Sequence, residues 1–184
     1  MATTRERRGT AEQRARQKLQ QSIGLGRTAI LLLLTVSLLN QLLLLLKVNY
    51  HFLFSTAVPY YLNWLARKLG GPDGVTPLKV IAVILTLLIY FLYVACWVLS
   101  ARRRDYIRTA MLLYCADTVL LVIFAFALLN NPFSCLLEIL VHIIGIAVLY
   151  HANHSAQQLR QMSKRRRTKP APRPAQAERR NSRY

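Results

Sequence analysis

Long apolar runs alternate with short polar breaks through most of this chain. Four runs, at 28–46, 78–100, 109–129 and 133–151, are long enough to cross a bilayer, which takes a helix of about 20 residues. The first is dominated by leucine. Lipid offers the backbone no water, so each run is predicted to be a helix that closes its own hydrogen bonds. The expected fold is therefore all-α, a four-transmembrane-helix bundle.

A fifth apolar stretch, 52–66, is too short to span and contains Pro59. The pattern predicts an external connector over 47–77 that ends in a short interfacial helix. Pro59 falls near its first turn, Gly70-Gly71 ends it, and Val58, Leu62, Leu65 and Leu69 share one side. Tyr50, Tyr60, Tyr61 and Trp64 suit the headgroup zone, where amphipathic rings gather. The helix is expected on the outer membrane face or as a cap on the bundle. The first run is longer than a signal core and lacks a small-residue cleavage pattern after Leu46, so it is expected to stay as an anchor.

Charge sets the threading. The chain is 54% hydrophobic yet carries a net charge of +18, because the charges lie in tails and loops. Of 25 Lys and Arg, 21 fall before the first run, in the Arg102-Arg103-Arg104 loop through Arg108, or after the fourth run. Only Lys47, Arg67, Lys68 and Lys79 fall on the other side. Positive charge is retained in the cytoplasm, so both termini are expected there. Making 52–66 a span would put the arginine loop and the basic tail outside. The chain thus divides into a basic cytoplasmic segment, 1–27; the transmembrane domain, 28–151; and a basic disordered cytoplasmic tail, 152–184. The proline- and arginine-rich end of that tail cannot bury a core and is expected to be disordered.

This distribution also selects partners. The bases flank membrane-length segments with no nucleic-acid module beside them, so anionic headgroups and the bilayer are the expected partners and nucleic acid is not. Arg102, Arg103, Arg104, Lys164, Arg165, Arg166 and Arg167 are the lipid-contacting candidates. A membrane-protein partner or second copies of the chain complete the list. Cys96, Cys115 and Cys135 form no C-x-x-C pair and read as small buried hydrophobes. No cofactor or metal site is expected.

Candidate chemistry lies in polar residues inside the apolar runs: Asn40, Gln41, Asp117, Glu138 and His142. Ionisable groups in lipid are costly and face the bundle interior or a wet cavity. Glu138 and His142 share a helix face at four-residue spacing, and Gly145 on the same face admits a close neighbour. At about 1.5 Å rise per residue, His142 and Asn40 come to similar depth, with Asp117 nearer the cytoplasm. The expected arrangement is a seam with Glu138 and His142 facing Asn40 or Gln41, and Asp117 beside Tyr90 or Tyr93. No nucleophile motif is present, nor H-E-x-x-H. Two roles follow: interhelical hydrogen bonding in a non-enzymatic scaffold or accessory subunit, or a small proton- or cation-linked transporter or channel component using Asp117, Glu138 and His142.

Leu53-Phe54-Ser55 with Pro59, Cys96-Trp97-Val98-Leu99-Ser100 before the arginine triplet, Asp117-Thr118, and Glu138 with His142 resemble uncharacterised four-span membrane proteins of bacteria. The resemblance covers 28–150 and leaves out both tails. It implies a bacterial cytoplasmic membrane and the four-helix architecture, with no catalytic residues.

Overall fold

The computed structural model describes residues 4–48, 52, 55–71, 74–128 and 136–168. Five helices make up the fold: α1 (Thr4–Leu45), α2 (Ala57–Gly70), α3 (Pro77–Ser100), α4 (Asp105–Leu128) and α5 (Leu136–Thr168). Four of them, all but α2, are long and apolar enough to cross a membrane. Tyr50, the 130–132 loop and residues 169–184 lie outside the described residues, as do the side chains of Arg165, Arg166 and Arg167.

The antiparallel helices enclose a core of Ile30, Leu33, Leu34, Tyr90, Tyr93, Cys96, Ala110, Tyr114 and Leu149. α5 lies between α1 and α4, and α3 packs on α4 and α1. Outward faces carry large exposed apolar side chains, such as Leu38 and Leu42 on α1, Ile84, Leu87 and Phe91 on α3, and Phe126 on α4. This is the apolar surface a bilayer would cover. Thr76 caps α3, its hydroxyl accepting from the Lys79 N–H, and Pro77 occupies the first turn, where its missing N–H is no loss.

Three expectations are corrected. The first helix does not begin near residue 28, because α1 runs unbroken from Thr4. Nor does the fourth helix end at His151 with a disordered tail from 152, since α5 continues to Thr168. The reason is shared: the two extensions pair with one another. Ile23, Ile107, Ala152, Ala156 and Leu159 form a buried cluster joined by Leu19, and Ser155 donates to Ser22 at 3.0 Å. Gly26 allows the closest approach, because a Cβ there would run into that of Ala152. Arg160 pairs with Asp105 in the first turn of α4.

The third correction concerns α2. It is the short helix read from the sequence, with a left-handed Gly71 after it, but it does not rest on the outer face. Ala57, Val58, Pro59, Tyr61 and Ala66 are buried, and α2 packs on α3, α1 and α4. Its C-terminal Gly70 lies beside Thr76, at the start of α3. Its N-terminus bonds to Asp117, about 18 Å along α4 from Asp105 at 1.5 Å per residue. α2 therefore begins within the bundle and runs out to the start of α3 as a re-entrant half-helix.

Candidate functional site

Re-entrant backbone at membrane depth survives only where protein satisfies its polar groups. The start of α2 poses that problem in full, because the first four N–H groups of a helix have no partner within it. Here all four are accounted for. Thr56, the N-cap, donates its N–H to the Ser37 hydroxyl at 2.8 Å. Ala57 and Val58 donate theirs to the two carboxylate oxygens of Asp117 at 2.8 and 2.9 Å. The next residue is Pro59, which has no N–H to satisfy. Asp117 thus acts from a distant helix as the cap that Thr56 does not supply with its own side chain. Its negative charge also faces the positive end of the α2 dipole.

The segment before α2 is held in the same manner from α1. Asn40 accepts the Phe52 N–H at 2.7 Å and donates to the Phe52 carbonyl at 2.8 Å and the Ser55 hydroxyl at 2.8 Å. Its amide thereby pairs with both backbone groups of one residue. Ser37, one turn earlier, donates to the Leu33 carbonyl and accepts from the Thr56 hydroxyl. The Tyr90 hydroxyl donates to the Ser37 carbonyl at 3.0 Å, tying α3 into the junction.

Asp117 is supported from behind by α5. His142 Nε2 lies 3.3 Å from Asp117 Oδ2, and its Nδ1 lies 2.9 Å from the Glu138 carbonyl. A carbonyl only accepts, so Nδ1 carries a proton. Nε2 then faces a carboxylate oxygen of Asp117 at hydrogen-bonding distance. Tyr114 stacks on the imidazole at 4.9 Å. Gly145 makes the space, since a Cβ there would come within 2.6 Å of the Tyr114 ring. The Glu138 side chain turns toward α2, where it accepts from the Tyr61 hydroxyl at 3.0 Å. Asn63, further along α2, donates to Thr86 on α3 at 2.7 Å.

The expected seam is accordingly rearranged. His142 meets Asp117 rather than Asn40 or Gln41, and Glu138 meets Tyr61. The depth difference expected between Asp117 and His142 disappears because α4 and α5 pack with these residues level. Asn40 serves Phe52 and Ser55, and the Gln41 Nε2 has no hydrogen bond among the described residues. Tyr93 does lie near Asp117, lining with it, Val58, Leu113 and Leu120 a cavity of about 170 Å³. Among the described residues no group of three or more His, Cys, Asp or Glu converges as a metal site would require. Sequence reasoning passed over Ser37 and Asn63 as site residues, and it assigned Tyr61 to the headgroup zone, whereas Tyr61 is buried against Glu138. Ser37 was legible only in that it shares a helix face with Asn40 at three-residue spacing.

At the arginine loop, Arg104 and Arg108 line a cleft with Asn153, Gln157 and Arg160 of α5. Arg104, Arg108 and the α5 extension therefore share one cleft at the end of the bundle that carries both chain extensions. Compared with known proteins, the chain matches no family model, no curated protein and no solved structure.

Proposed function

We propose that this chain is a non-enzymatic multi-pass protein of the bacterial cytoplasmic membrane, a scaffold or accessory subunit that presents basic helical arms in the cytoplasm to anionic headgroups or an acidic partner. The observation that carries the reading is the engagement of Asp117, at the heart of the polar network, as the cap of α2. Its two oxygens accept backbone N–H groups, and its remaining polar partner among the described residues is His142. Asn40, Ser37 and Glu138 likewise bond to the re-entrant segment or to α2. These groups serve the fold, so the exposed chemistry left to the molecule is its charge. That charge is concentrated on the arms, where each base near an anionic surface contributes about 1 kcal/mol.

The test is flotation of the full chain, held in neutral nanodiscs, with anionic vesicles. Association should fall as salt rises and should weaken when residues 164–184 are deleted. Equal association of the two forms at low salt would remove the arms from the proposal.

A second reading, a proton- or cation-linked transporter or channel component, is favoured by the contact of two titratable groups, His142 and Asp117, 3.3 Å apart at the edge of the 170 Å³ cavity that Asp117 lines. Reconstituted in vesicles with a trapped pH dye, the chain would then conduct protons, and folded Asp117→Asn protein would not. Wild-type flux no greater than in empty vesicles rules this reading out.

A further inference from the structure

The four bases that lie apart from the arms do not scatter over the opposite end of the bundle. Lys47, Arg67, Lys68 and Lys79 line one cavity of about 620 Å³, together with Trp64 and Gly74. They come from three places: the end of α1, the second half of α2 and the first turn of α3. No Asp or Glu is among the described lining residues. Arg67 and Lys79 are half-buried, so their mutual repulsion is less screened than on an open surface.

Local structure holds these cations in position. Arg67 donates to the Leu44 carbonyl at the end of α1, and Lys79 Nζ donates to the Gly74 carbonyl at 2.8 Å. Lys68 lies over the Trp64 ring at 5.0 Å, a cation–π contact. Lys47 is the most informative of the four. Val48 N–H bonds to the Leu43 carbonyl and Lys47 N–H to the Leu44 carbonyl, the pattern that ends a helix at a left-handed residue. Glycine is the usual occupant of that position, yet here a lysine adopts φ 59°. The backbone is strained, and what lysine adds over glycine is a cation at the rim of the cavity.

From this convergence we infer that the cavity binds a multiply charged phosphate anion, either a soluble diphosphate or the phosphate headgroup of an anionic lipid. The guanidinium fork of Arg67 and the point charges of three lysines suit phosphate oxygens. The volume falls in the range of small-molecule sites, about 300–1,000 Å³, and exceeds what one phosphate fills. The site is at the far end of the bundle from the arms and does not depend on what the arms bind.

The experiment uses the full chain with Trp97→Phe, which leaves Trp64 as the sole indole, in nanodiscs. In neutral phosphatidylcholine discs, pyrophosphate is titrated against chloride at matched ionic strength. A saturable change in Trp64 fluorescence identifies the soluble anion. In the second arm, discs contain phosphatidic acid, and a fluorescence change on moving from neutral to anionic discs identifies the headgroup. Lys47→Gly with Lys68→Gln should weaken whichever response is seen by about tenfold, equivalent to ~1.4 kcal/mol. Glycine relieves the backbone at position 47, so that variant keeps its fold. No response beyond chloride in either arm, or a response undiminished in the double variant, overturns the inference.

Discussion

Asp117 is the residue on which the interior depends. Asp117→Ala strands two backbone N–H groups and an imidazole at once. Buried donors left without partners cost about 1–3 kcal/mol each, so the loss should exceed 3 kcal/mol in all, roughly that of a broken buried pair. Asp117→Asn keeps one acceptor but turns an amide donor toward another donor, and should fall between alanine and wild type. Thermal unfolding in detergent, followed by circular dichroism, would rank the three; equal stability would refute the capping role. Tyr61→Phe removes a single hydrogen bond to Glu138 and should cost only about 1 kcal/mol. Gly145→Ala acts by overpacking, since its Cβ meets the Tyr114 ring that stacks on His142. A loss of about 1–3 kcal/mol is expected.

At the scale of elements, two junctions can be tested separately. Hydrogen exchange should find the Thr56, Ala57 and Val58 amides protected although they precede the first internal bond of α2. Asp117→Ala should release Ala57 and Val58, whereas Ser37→Ala should release Thr56. Release of all three by either substitution would mean that the α2 start behaves as one unit rather than two clasps. The second junction is the pairing of the α1 and α5 extensions. With the native cysteines replaced, Ser22→Cys and Ser155→Cys should form an intrachain disulfide on mild oxidation, because the two hydroxyls lie 3.0 Å apart. Gly26→Leu should prevent it by forcing the helices apart at Ala152. A crosslink unaffected by Gly26→Leu would show that Gly26 does not set the approach.

For the whole molecule, the helix directions separate two charged ends. The arginine loop and both extensions lie at one end, and the lysine- and Trp64-lined cavity at the other. If the charge rule sets the threading, cysteines introduced singly at Lys68 and Lys164 should label from opposite faces of the membrane. Lys68→Cys should react from outside the cell and Lys164→Cys only after permeabilisation. Labelling of both from one face would contradict the arrangement of α3, α4 and α5 as spans.

The four spans were legible in the sequence because a bilayer-length apolar run has one structural solution, a helix. The short α2 was legible because Pro59 and Gly71 punctuate a local periodicity. The polar residues were legible too, but only as a list. Which of them meet depends on how α4 and α5 slide against one another and on how deep in the bundle α2 begins. Neither leaves a trace in local spacing, so His142 was matched to the wrong helix and Ser37 passed over. The extensions escaped for a related reason. Leu19, Ile23 and Gly26 on one helix, and Ala152, Ala156 and Leu159 on the other, are spaced for a helical seam, but a net basic composition outweighs so sparse an apolar stripe until its partner stripe is known. Sequence alone determined what must be helical and where charge must stay in water. Tertiary structure alone decided which polar groups satisfy the re-entrant backbone, because that pairing is set by contacts between residues far apart in the chain.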